Sequence, residues 1–163
     1  MPVLAQSGLH INSLFDGRFK KDPNATELIV TGAGARDINL KVYHSLKVMQ
    51  KSQQNLIESL VVKDGVKAND KEVEYRSGQL YYGFYTMPAS KSGLNRYIFY
   101  LNQNLAHNNP KNMVTLIYME GKATQNKSRN SSANKTINII KNEKDDFIHH
   151  SHVCHGTSVQ RHQ

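Results

Sequence analysis

Cysteine is nearly absent from this chain of 163 residues: Cys154 stands alone, so no internal disulfide can staple the fold and packing must hold it. That suits a reducing compartment, although disulfide-free domains also occur in oxidising ones. Tryptophan is missing altogether, and no apolar run approaches the roughly 20 residues of a membrane-spanning helix. The opening Met1-Pro2-Val3-Leu4-Ala5-Gln6-Ser7-Gly8 is too short for a signal peptide and lacks a charged start; targeting is not read from it. Acidic residues are few, 13 against 21 basic ones, for a formal charge of +8. The excess is spread out, with +5 in residues 1–125 and +3 in residues 126–163, so it reads as a solvated basic surface and not as a nucleic-acid stripe.

The motifs of common chemistries are missing as well. There is no Cys-x-x-Cys, no His-Glu-x-x-His, no Gly-Lys-Ser/Thr and no Gly-x-Ser-x-Gly elbow. The core acids form no obvious catalytic pair, and the only thiol lies in the region expected to be least ordered. The chain is expected not to be an enzyme and to need no cofactor.

What is present is alternation. In Ile38-Asn39-Leu40-Lys41-Val42-Tyr43-His44-Ser45-Leu46-Lys47-Val48, the apolar residues and His44 fall on one side of an extended strand and the polar ones on the other. Further strands are predicted at Leu9–Phe15, Thr26–Thr31, Val73–Tyr75, Leu80–Met87, Arg96–Leu101 and Met113–Met119. Turns are read at Asp16-Gly17, Ser77-Gly78 and Asn108–Asn112, and a flexible connection at Gly32–Asp37. Leu56, Ile57 and Leu60 suit a short helix over 52–60, with a strand through Val62 competing. The fold class is therefore mainly β: a small antiparallel β-sandwich of six to eight strands with one short helix and a flexible C-terminal tail. Residues 1–125 form the sandwich domain. Residues 126–163 are polar and His-rich and read as a mobile tail, with Thr136–Ile140 the one stretch that could add a late strand. That tail is expected to be dispensable for folding.

Several clusters invite a functional reading. Gly32-Ala33-Gly34-Ala35-Arg36-Asp37 follows a strand like a nucleotide loop, but lacks the third glycine and leads into a strand, so a plain connection is preferred. His149, His150, His152, Cys154 and His155 offer five metal-ligating side chains in seven residues, with no partners elsewhere to close a coordination sphere; no metal site is assigned. His10, His44 and His107 stand alone. Tyr81, Tyr82, Phe84, Tyr85, Tyr97, Phe99 and Tyr100 could stack on unpaired bases, but alternate rings filling a core is the better account, since adjacent tyrosines in a strand point to opposite faces. The Asn-x-Ser/Thr triplets at Asn24, Asn126, Asn130 and Asn134 follow from an asparagine-rich composition.

From Glu27 to Thr124 the order of elements resembles the outer-membrane lipoprotein component of type VI secretion systems, a transthyretin-like β-sandwich. The resemblance is carried by a strand before a glycine-bearing loop, the Ile38-Asn39-Leu40-Lys41-Val42-Tyr43 strand, a short helix, Leu80-Tyr81-Tyr82-Gly83-Phe84-Tyr85 and the strand Met113–Met119. The family's acylated cysteine and late-strand tryptophan have no counterpart here. The resemblance implies a periplasmic module tethered to the outer membrane that binds an inner-membrane-anchored secretion component; a cytoplasmic location is the alternative. The expected function is thus a non-catalytic protein-interaction or assembly module. The rival is a single-stranded nucleic-acid-binding β-barrel that uses the basic surface and exposed tyrosines. No partner-contact residue is assigned.

Overall fold

The computed structural model describes residues 8–122. The His149–His155 cluster, Cys154 and the Thr136–Ile140 stretch lie outside the described residues, as do three of the four Asn-x-Ser/Thr triplets.

Six strands form one antiparallel sheet: β1 (Ala25–Thr31), β2 (Leu40–Val48), β3 (Asp70–Arg76), β4 (Gln79–Met87), β5 (Asn95–Asn102) and β6 (Val114–Gly121). Their order across the sheet is β1-β2-β6-β5-β4-β3. The mainly β, antiparallel fold and its strand count agree with the sequence reading. The last strand lies in the middle, hydrogen-bonded to β2 and β5, and every one of its eight residues is buried. β3 and β4 are joined by Ser77-Gly78, both at positive φ, as a tight type I′ hairpin turn requires.

A one-turn helix, α1 (Ala33–Arg36), interrupts the connection between β1 and β2, and α2 (Lys51–Gly65) packs on one face of the sheet. Helix wins over strand at Val62 because Gln54, Ile57, Val61 and Asp64 share a helical stripe, and that stripe is buried. Ile57 and Val61 belong to one buried core with Val42, Leu46, Ile98, Tyr100, Leu116 and Tyr118 from the sheet. Each of these two aliphatic side chains contributes about 1.5–3 kcal/mol by leaving water. Gln54 anchors the helix start, donating to the Val48 carbonyl at 3.0 Å and to Asn112 Oδ1 at 2.9 Å.

Two expectations about strands are corrected. Leu9–Phe15 is not extended: His10–Phe15 is a 3-10 helix. Three residues per turn put Ile11 and Leu14 on one buried face, and Asp64 from α2 accepts the backbone N–H groups of His10 (2.7 Å) and Ile11 (2.9 Å) at its start. The long alternation from Ile38 also breaks. Leu40 pairs with Gly121 and Val42 with Glu120, so Lys41 is an extra residue, a β-bulge. The bulge reverses the parity: Leu40 joins the core on the face away from α2, and Val42 the core beneath it.

The second bulge corrects the rule applied to Tyr81 and Tyr82. Leu80 pairs with Tyr75 and Tyr82 with Glu74, which leaves Tyr81 unpaired in the ladder. Both tyrosines consequently join the same cluster, with Phe84, Tyr97, Phe99, Ile117 and Met119.

Candidate functional site

The sheet order leaves β1 and β3 at its edges, and among the described residues β3 pairs only with β4. Period-two alternation on β3 puts Lys71, Val73 and Tyr75 on the α2 side, opposite Tyr85, Gly83 and Leu80. The end of α2 contributes Val62 and, one turn on, Val66 just past the helix. Between the helix end and the strand runs a groove of about 130 Å³, lined by these residues with Gly65 and Tyr85.

Its walls are exposed and apolar. Val62 and Val73 are each 38% exposed, Tyr75 54% and Val66 80%. Scattered surface hydrophobics are ordinary, but four around one depression are not. The floor is tight. A Cβ at Gly65 would stand 2.5 Å from the Tyr85 ring, so glycine lets the helix end settle directly on that ring. Burial, assisted by Tyr75 and Glu58 nearby, raises the Tyr85 hydroxyl far above its usual range and keeps it a neutral phenol. Glu58 fixes the geometry from the helix side, accepting the Leu80 N–H at 3.0 Å. Lys71 lines the groove and enters no ion pair among the described residues, while Lys63 and Lys67 follow Val62 and Val66 in the chain. The groove is thus oily within and carries one cation, Lys71, in its lining. Nothing in it supplies a nucleophile beside a base.

Of the residues singled out from sequence, Tyr85 lines the groove and the others fall elsewhere. Gly32–Asp37 holds the four-residue α1 and then β2, which is not the long helix a phosphate loop feeds. The seven aromatics are all buried, and Arg76 lies over the Tyr81 ring with its guanidinium carbon 3.5 Å from the centroid. None of these rings presents an open face for a base. His10 sits 2.9 Å from Asp64 through Nδ1, and His107 is exposed. His44 is buried, with Nε2 2.7 Å from Glu27 Oε1 and its ring against Phe15 at 3.8 Å. Loss of water around the ring lowers its pKa, outweighing the opposing pull of Glu27. Among the described residues no three His, Cys, Asp or Glu side chains gather as a metal site, and no helix is long and apolar enough to cross a membrane.

Sequence reasoning missed Val62, Val66, Val73 and Tyr75. The signal that could have found Val62 and Val66 is their four-residue spacing outside the buried Ile57–Val61 stripe, a second apolar line on a helix that needs one.

No curated protein and no solved structure matches the chain. A family match does exist, and it spans residues 1–131, which include every described strand. The chain belongs to a family of unknown function, DUF6108.

Proposed function

We propose that this chain is a non-catalytic binding module that takes an extended segment of a partner protein into the groove between α2 and β3. The observation that carries the reading is the convergence of exposed Val62, Val66, Val73 and Tyr75 on one depression beside a strand edge. At about 130 Å³ the groove accepts a side chain or two, well short of the roughly 300–1,000 Å³ typical of small-molecule sites. A strand edge favours an extended occupant, whose alternate side chains then drop toward α2. Lys71 in the lining favours an acidic residue flanking those apolar ones. The sequence resemblance to a secretion lipoprotein extends the proposal to a partner in the bacterial envelope, with the module in the periplasm.

A displayed library of random peptides, selected against the whole chain, tests this. The expected winners alternate apolar residues and carry an acidic flank. Their binding should fall about tenfold or more on Val66→Asp, a change at a highly exposed position that leaves the melting temperature in place. Winners indifferent to both Val66→Asp and Tyr75→Ser would refute the groove. Oligonucleotide binding that weakens steeply with salt would instead favour a nucleic-acid module.

A further inference from the structure

The β2 bulge builds a second concavity, unrelated to the groove. Three backbone features shape it. Asn39 enters at φ 58°, in the left-handed region that asparagine tolerates better than most residues. Lys41 is the extra residue, turned out of the ladder. Opposite them, Gly121 meets the bulge so closely that a Cβ would lie 2.5 Å from Leu40 Cα and 2.6 Å from the Asn39 carbonyl oxygen. The result is a cavity of about 430 Å³, within the size range of small-molecule sites.

Its lining divides by chemistry. Leu40, Leu94 and Gly121 give an apolar wall, while Arg36, Lys41 and Lys122 supply three exposed cations. No described carboxylate pairs with any of the three, whereas His10–Asp64, Arg18–Asp16, His44–Glu27 and Arg76–Glu74 do form ion pairs. Asp37 follows Arg36 in the chain but does not line the cavity. Three like charges round one hollow favour an anion among them.

We infer that this cavity is a binding site for a small amphiphilic anion, a carboxylate or phosphate ester on a short aliphatic body. Arg36 offers a planar fork that suits either oxyanion bidentately, Lys41 and Lys122 add point charge, and the aliphatic part lies on Leu40 and Leu94. Such a group could belong to a free small molecule or to the end of a lipid; the recognition chemistry is shared.

Titration calorimetry of the full chain at low ionic strength, with octyl phosphate, octanoate, octanol and inorganic phosphate as probes, tests the site. One-to-one saturable binding of octyl phosphate or octanoate is expected, about tenfold or more tighter than that of octanol or inorganic phosphate. The variant Arg36→Gln/Lys41→Gln/Lys122→Gln, altered only at exposed side chains, should lose about tenfold in affinity while melting at an unchanged temperature. Leu94→Trp, which fills the hollow and keeps the cations, should also block the probe. Undiminished binding in the triple variant would overturn the proposal, as would inorganic phosphate binding as tightly as its octyl ester. Phosphatidylglycerol vesicles separate the two sources. Vesicle binding that octyl phosphate displaces and Leu94→Trp abolishes supports a lipid end in the same cavity; vesicle binding that survives Leu94→Trp reduces the cations to a surface patch and sinks the site.

Discussion

Replacing Asp64 by alanine should release the N-terminal 3-10 helix from α2. The carboxylate is buried and accepts from the His10 N–H at 2.7 Å, the Ile11 N–H at 2.9 Å and the His10 ring nitrogen at 2.9 Å. Alanine leaves the buried Ile11 amide without an acceptor, at a cost of about 1–3 kcal/mol. The His10 amide belongs to a residue whose side chain is half exposed, so water replaces part of what it loses and about 0.5–1.5 kcal/mol is expected. The His10 ring contact adds little for the same reason. The sum, about 1.5–4.5 kcal/mol, is a large share of the roughly 5–15 kcal/mol that holds an ordinary domain together. Urea unfolding should show it as a midpoint lower by about 1–2 M. Asparagine, which keeps one acceptor oxygen, should fall about midway. Amide hydrogen exchange should accelerate first across His10–Phe15, well before β6. An unchanged midpoint in Asp64→Ala, or exchange at residues 10–15 that stays as slow as in the parent, would refute the reasoning.

Other outcomes follow from the same contacts. Ile57→Ala should lower stability by about 2–5 kcal/mol in urea unfolding, because Ile57 is fully buried between α2 and the sheet. Gly121→Ala forces a Cβ into the β2 backbone and should lower the melting temperature, and it should weaken octyl phosphate binding more than the binding of groove peptides. His44 titrates below its ordinary value of 6.5 in the folded chain, so the unfolded chain takes up this proton first as pH falls. Its contribution is therefore whole above pH 6.5 and is lost as pH drops below it. Urea midpoints at pH 7.5, 6.5 and 5.5 should show a gap between the parent and His44→Gln that changes below 6.5, and parallel curves would contradict the sign.

Strand positions were legible wherever a β-branched or aromatic run met turn residues, as at Leu80–Met87 and Arg96–Leu101. What hid was parity. A bulge costs one residue and leaves no compositional mark, so Lys41 and Tyr81 look like ordinary members of an alternation that each of them reverses. Leu9–Phe15 misled for a related reason: Leu9 and Ile11 share strand spacing, Ile11 and Leu14 share 3-10 spacing, and the deciding carboxylate lies more than fifty residues away at Asp64. The groove was less visible still. Its valines belong to two elements, and only the helix end resting on the Tyr85 ring brings Val62 and Val66 beside Val73 and Tyr75.

The placement of β6 sets a timetable for assembly. Until residues 114–121 emerge during synthesis, β1–β2 is one ribbon and β3–β4–β5 another, each with a bare inner border. Joining them spans a long stretch of chain, the kind of closure that is slow and leaves sticky borders open to other molecules meanwhile. A nascent copy cut short of β6 would be two unmatched fragments seeking a centre, and agents that shield open strand borders should matter most to this protein during that interval.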